Sequence, residues 1–111
     1  MNDKIWTDCP IEYASYVIGG KWKLRILWLL SQSPTIRFNA LKRELNGITD
    51  LMLTKSLKEL MTAGIVNRVQ YNEIPPRVEY SLTENGMRLI DALVPITNWS
   101  KETLTTFHNT N

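Results

Sequence analysis

The ten residues from Trp22 to Ser31 limit most tightly what this chain can fold into. They read Trp-Lys-Leu-Arg-Ile-Leu-Trp-Leu-Leu-Ser, apolar nearly all the way round a helix, with Lys23 and Arg25 the only charges. A helix of that kind is stable only where neighbours cover it on most sides. Gly19-Gly20 before it and Pro34 after it mark its limits, because paired glycines supply a turn and proline does not continue a helix. The remaining chain therefore has to wrap a buried central helix, and Trp22 and Trp28 are both expected to pack in its core. At 111 residues, 43% of them hydrophobic, the expectation is a single domain over 1–111 with one modest core.

The flanking segments supply the wrapping. Pro10 to Ile18 opens with a first-turn proline and predicts a short first helix. Ile36-Arg37-Phe38 predicts a minimal edge strand, followed by an amphipathic helix from Asn39 with Leu41 and Leu45 inward. Asn46-Gly47 is a turn, and Thr49 is an N-cap for a helix running to about Ala63. Gly64 stops that helix. Val66 to Tyr71 and Arg77 to Leu82 then alternate with period two on either side of Asn72-Glu73-Ile74-Pro75-Pro76, which predicts a hairpin with a long tip. After Thr83 comes a last helical region, interrupted at Pro95, with a frayed tail from His108 to Asn111. Its Leu89, Leu93, Ile96 and Trp99 are more apolar than a solitary surface helix tolerates. Together with Trp6 they are the candidates for a homodimer seam, with effector contact as the other role open to Trp6 and Trp99.

Several function classes fall away. The longest apolar stretch, Ile26 to Leu30, is far too short to span a bilayer, and the first residues lack the pattern of a secretory signal, so the expected address is the cytoplasm and no membrane partner is expected. One cysteine excludes an internal disulfide framework. One histidine, far in sequence from Cys9, offers no catalytic or metal constellation, so neither an enzyme nor a cofactor is expected. A net charge of +2 decides nothing by itself.

The order of elements does decide something. Helix, turn, helix and then hairpin is a mainly α winged helix-turn-helix with a small β-hairpin wing. In that plan one helix enters the major groove of duplex DNA, the helix before it braces the backbone and the hairpin reaches the neighbouring groove. Opposite the Leu53, Leu57 and Leu60 stripe lie Leu51, Lys55, Lys58 and Thr62, with Met52 and Thr54 flanking them. Lysines serve phosphates or guanine edges, Thr54 hydrogen-bonds, and Leu51 or Met52 touches a thymine methyl. The same lysines would equally solvate a plain surface helix, and Asp50 and Glu59 mix the sign. Arg77, next to the stiff Pro75-Pro76 tip, reads as a cation held out on a projecting element.

These residues, in this order, resemble the HxlR-type family of bacterial winged helix-turn-helix regulators, more distantly MarR-like. The likeness runs through Cys9-Pro10, Val17-Ile18-Gly19-Gly20-Lys21-Trp22-Lys23, Arg37-Phe38-Asn39 with Leu41, and Gly47-Ile48-Thr49 with Leu53-Thr54 and Leu57 to Leu60. It continues through Gly64-Ile65-Val66, Pro75-Pro76-Arg77-Val78-Glu79-Tyr80, Leu82-Thr83 with Gly86, and Trp99. The resemblance implies a sequence-specific repressor that dimerises through its N- and C-terminal helices and sets two recognition helices on a pseudo-palindromic operator. It implies that Thr49 to Lys58 reads bases, that Arg77 is a wing contact and that Arg37 meets the backbone. Lys21 and Lys23 also match, in positions that would serve a structural salt bridge equally well.

Cys9 has two readings. At the mouth of the first helix a thiol is a candidate sensor of oxidants or electrophiles, as in several members of the resembling family, and it would equally serve as a small apolar residue in the dimer seam. An effector pocket is expected between the terminal and central helices, with no polar group in the sequence to select a ligand class. The alternative to DNA binding is a winged-helix adaptor that binds other proteins.

Overall fold

The computed structural model describes residues 7–109. In chain order it comprises α1 (Pro10–Ile18), α2 (Lys23–Leu30), β1 (Ile36–Arg37), α3 (Phe38–Glu44), α4 (Asp50–Thr62), β2 (Val66–Tyr71), β3 (Arg77–Leu82) and α5 (Glu84–Asn109). Trp6 lies outside the described residues.

Helix α2 sits centrally, with Ile26, Leu27 and Leu30 buried against Leu41 and Leu45 of the α3 region, Leu53, Leu57 and Leu60 of α4, and Tyr80 of β3. It is not covered all round. Leu24 and Trp28, four residues apart on one stripe, are exposed, and Trp28 at 44% corrects the expectation that both tryptophans are core residues. Trp22 is buried as expected. A residue's place on an apolar helix does not say whether a neighbour closes that side, and among the described residues none closes this one.

The helix-turn-helix is α3 and α4. Thr49 caps α4 by accepting a hydrogen bond from the Met52 amide at 3.1 Å, satisfying one orphan donor of the first turn. At the other end, Gly64 takes φ +76°, its amide donates to the Met61 carbonyl and that of Ile65 to the Leu60 carbonyl. That pair of bonds closes the helix in a Schellman turn, which favours glycine. The chain then enters β2 and β3, antiparallel from Val66 opposite Leu82 to Tyr71 opposite Arg77, and β1 joins the far edge of β3 with Ile36 opposite Tyr80.

Helix α5 runs unbroken from Glu84 to Asn109 with Pro95 inside it, so the expected interruption at Pro95 does not occur. Pro95 and Asp91 are both exposed, so the carbonyl that proline leaves without a donor lies on the solvent side of the helix. The Thr97 hydroxyl also donates to the Leu93 carbonyl at 3.0 Å. His108 and Asn109 are helical rather than frayed, while Thr110 and Asn111 lie outside the described residues. The start of α5 is fastened to the end of α4: the Thr83 amide donates to the Ile65 carbonyl, the Thr83 hydroxyl donates to the Gly64 carbonyl at 2.7 Å, and the Gly86 amide donates to the Thr83 hydroxyl. A Cβ on Gly86 would stand 2.3 Å from the Ile65 carbonyl oxygen, so only glycine permits this approach. Among the described residues, no helix is long and apolar enough to cross a membrane.

Candidate nucleic-acid interface

The outward face of α4 carries Leu51, Met52, Thr54, Lys55 and Lys58, all exposed, while Leu53, Ser56, Leu57 and Leu60 turn to the core. The acids that mix the sign of this helix are both occupied. Asp50 pairs with Lys42 of α3 at 2.7 Å, and Glu59 pairs with the buried Lys23 of α2 at 3.3 Å. Among the described residues Lys55 and Lys58 have no ionic partner, so the exposed face presents two uncompensated cations beside apolar and hydroxyl groups. Thr49 stands at its edge with its oxygen engaged as the cap.

Lys23 resolves the choice left open for it. Its ammonium donates to the Tyr16 carbonyl at 3.1 Å, at the end of α1, and lies 5.0 Å above the Tyr16 ring. It is 7% exposed and structural, joining α1, α2 and α4. Lys21 is exposed, over the Trp22 ring at 4.9 Å.

The wing differs from the sequence expectation. Arg77 is not held out: its Nε lies 3.4 Å from Glu73 and 3.5 Å from Glu79, and its guanidinium stacks 4.1 Å from the Tyr71 ring centroid. The contacts of that buried Nε are ionic without being directed hydrogen bonds. Cross-strand pairing causes this, since Tyr71 is opposite Arg77 and Glu79 sits on the same face two residues on. What the wing projects instead is Ile74, fully exposed. Beside the tip end of the wing, a cleft of about 500 Å³ runs between α3 and β3, with Arg37, Asn39 and Arg43 on one side and Pro76 and Arg77 on the other. The sequence leaves Lys42, Arg43 and Glu44 facing water or a partner without assigning Arg43 to the interface. Its place one turn after Asn39, on the same helix face, is the signal that would have found it.

The seam candidates divide. Leu93, at 6% exposed, is buried within its own chain, and Leu89 is half-buried against the core. Ile96 and Trp99 are exposed, as are Leu104 and Phe107 further along the same face of α5. The expected pocket between the terminal and central helices exists as an open groove of about 400 Å³, with Leu24, Trp28 and Leu29 of α2 facing Leu93 and Ile96. Unlike the sequence expectation, it has polar groups, Arg25, Glu44, Thr97 and Ser100. Cys9 is half-buried as the residue before α1, its amide donating to the Thr7 hydroxyl at 3.1 Å. Among the described residues, no cluster of three or more His, Cys, Asp or Glu side chains could hold a metal ion.

Comparison with known proteins places this architecture. A family model described as HxlR-like helix-turn-helix matches residues 17–107. An HTH-type transcriptional regulator of Halalkalibacterium halodurans is 44% identical over 92 residues, covering 83% of this chain and 81% of that protein. The redox regulator HypR in its reduced form superposes with a TM-score of 0.83 at 38% identity, over 91% of this chain and 99% of that one. In its oxidised form the TM-score is 0.78 at 41% identity, over 85% and 96%.

Proposed function

The chain belongs to the HxlR-like helix-turn-helix family of transcriptional regulators, and from that premise we propose that it represses transcription as a homodimer on a pseudo-palindromic duplex operator in the cytoplasm. It is a transcription regulator and not an enzyme. The observation that carries the DNA reading is the pairing of Asp50 and Glu59 with Lys42 and Lys23, which leaves Lys55 and Lys58, among the described residues, as the unpaired charges of α4. In this reading Lys55 and Lys58 meet phosphates or guanine edges, Thr54 hydrogen-bonds, and Leu51 and Met52 touch thymine methyls, while Arg37 meets the backbone. Thr49 orders the helix start more than it reads bases.

The homodimer reading rests on Ile96, Trp99 and Leu104, apolar side chains of α5 left exposed among the described residues. The groove beside Trp28 adjoins that face at Ile96, so a second copy is its expected occupant. Light scattering gives the mass, and anisotropy against duplexes over a salt series gives the affinity. A dimer whose affinity falls steeply with salt, and falls again in Lys55→Ala/Lys58→Ala, supports the reading. Protein without duplex binding at low salt sinks it and favours an adaptor.

Oxidant control through Cys9 is part of the same proposal, supported by the likeness to both redox forms of HypR. Two Cys9 thiols, one from each protomer, would join in a disulfide, passing two electrons and two protons to the oxidant. The bond would change how the two DNA-binding units sit relative to each other. Cys9→Ser is expected to abolish the oxidant response of operator binding, and an unchanged response overturns the sensor role.

A further inference from the structure

Resting on the DNA reading above, we propose that the wing reads the minor groove with an apolar tip, Ile74, and that Arg77 braces that tip rather than contacting DNA. At 101%, Ile74 is the most exposed of the large hydrophobic side chains in the described residues. Pro75 and Pro76 follow it and restrict its backbone, so an apolar side chain that gains nothing from water is held at the end of a projecting hairpin. The cation next to it is spent: Arg77 is held by Glu73, Glu79 and the Tyr71 ring. Within the tip, Glu73 and Arg77 cancel, which leaves shape and apolar surface as what the wing offers.

The tip end of the same hairpin fits a polyanion as the partner. Pro76, two residues from Ile74, closes a cleft whose opposite wall carries Arg37 and Arg43, both exposed and, among the described residues, without ionic partners. Charge complementarity there fits a phosphate of the duplex backbone, and a backbone seated in the cleft brings the adjoining minor groove to the tip. An isoleucine entering a minor groove packs on sugars and partly unstacks a base step, so it favours pyrimidine–purine steps, which deform most easily. Ile74 is thus a specificity-determining residue that acts through DNA deformability rather than through hydrogen bonds.

Charge and apolar contact separate cleanly in a salt series, because only charge neutralisation releases counterions. The test uses the full chain and a duplex selected by the wild-type protein from a random-sequence library. Ile74→Ala is expected to weaken binding by about fivefold per half-site, leaving the slope of log K against log salt unchanged. Arg43→Ala is expected to lower that slope by about one per protomer. Unfolding temperature shows that both variants fold. If wild type binds steeply with salt while Ile74→Ala binds as tightly as wild type, or loses affinity together with slope, the apolar-tip inference is overturned and the DNA reading stands. Absence of wild-type binding overturns the DNA reading itself.

Discussion

The ion pair between Lys23 and Glu59 gives a prediction whose sign depends on burial rather than on attraction. The Lys23 side chain is 8% exposed and its ammonium meets two oxygens, Glu59 Oε1 at 3.3 Å and the Tyr16 carbonyl at 3.1 Å, while the Glu59 side chain is 37% exposed. Removing the outer partner in Glu59→Ala strands a buried charge with one neutral acceptor. A fully buried charge left unpaired costs about 3–5 kcal/mol; water reaching in through the space Glu59 vacates reduces this to about 2 kcal/mol. Removing the inner partner in Lys23→Met fills the site with an apolar side chain of similar length and lets Glu59 turn to solvent. The lost bond to the Tyr16 carbonyl then costs about 1 kcal/mol. At about 4 °C per kcal/mol for a domain of this size, the Tm should fall by about 8 °C in Glu59→Ala and about 4 °C in Lys23→Met. The double variant should match Lys23→Met alone, because no charge is left to strand. Urea and thermal unfolding at one fixed protein concentration make the comparison. Additive losses in the double variant, or a larger loss in Lys23→Met than in Glu59→Ala, would refute the reasoning.

Thr49→Ala removes the cap at the Met52 amide and should cost about 1 kcal/mol of stability, read by urea unfolding; a loss below a few tenths would mean that water caps the helix as well. Glu73→Gln/Glu79→Gln should release Arg77 toward solvent and steepen the salt dependence of duplex binding by about one per protomer, whereas an unchanged slope would show that the Tyr71 ring alone holds the guanidinium. Gly86→Ala forces its methyl against the Ile65 carbonyl oxygen at 2.3 Å, and the backbone shift needed should lower the Tm by about 8 °C or more. A Tm within about 2 °C of wild type would show that the α4 and α5 junction yields cheaply.

What could be read from the sequence was whatever local chemistry controls. The two long strands fall at Val66–Tyr71 and Arg77–Leu82 as their alternation indicates, and Thr49 caps α4 as its type and place indicate. The face of α4 that carries Lys55 and Lys58 follows from helical periodicity alone. The misreadings share a cause, which is that the deciding neighbour is distant in sequence. Trp28 lies on an apolar helix, yet its exposure depends on what α5 leaves open. Arg77 beside a stiff tip looks projecting until Tyr71 and Glu79 are placed around it by strand register. Pro95 ends a helix by propensity, but α5 runs on through it, with Leu89 packed on the core and Leu93 buried on the turn before it.

The two fastenings of α4 bear on how a signal at α1 would reach DNA. At its middle, α4 is tied through Glu59 and Lys23 to α2 and the end of α1; at its C-terminus, the Thr83 hydroxyl and Gly86 lock the start of α5 onto the Gly64–Ile65 turn. A recognition helix held at both points moves with the helices proposed to form the dimer seam, and a bond between two Cys9 residues would therefore shift whole reading heads rather than loosen α4 within one protomer. The effect should fall on the distance between heads. Oxidation should weaken binding to a duplex carrying both half-sites by at least about tenfold, or about 1.4 kcal/mol, because half-site spacing must match the dimer. Binding to a duplex with one half-site, where spacing is irrelevant, should change by less than about twofold on the same scale. Equal losses on the two duplexes would place the change inside the helix-turn-helix and refute transmission through a rigid head.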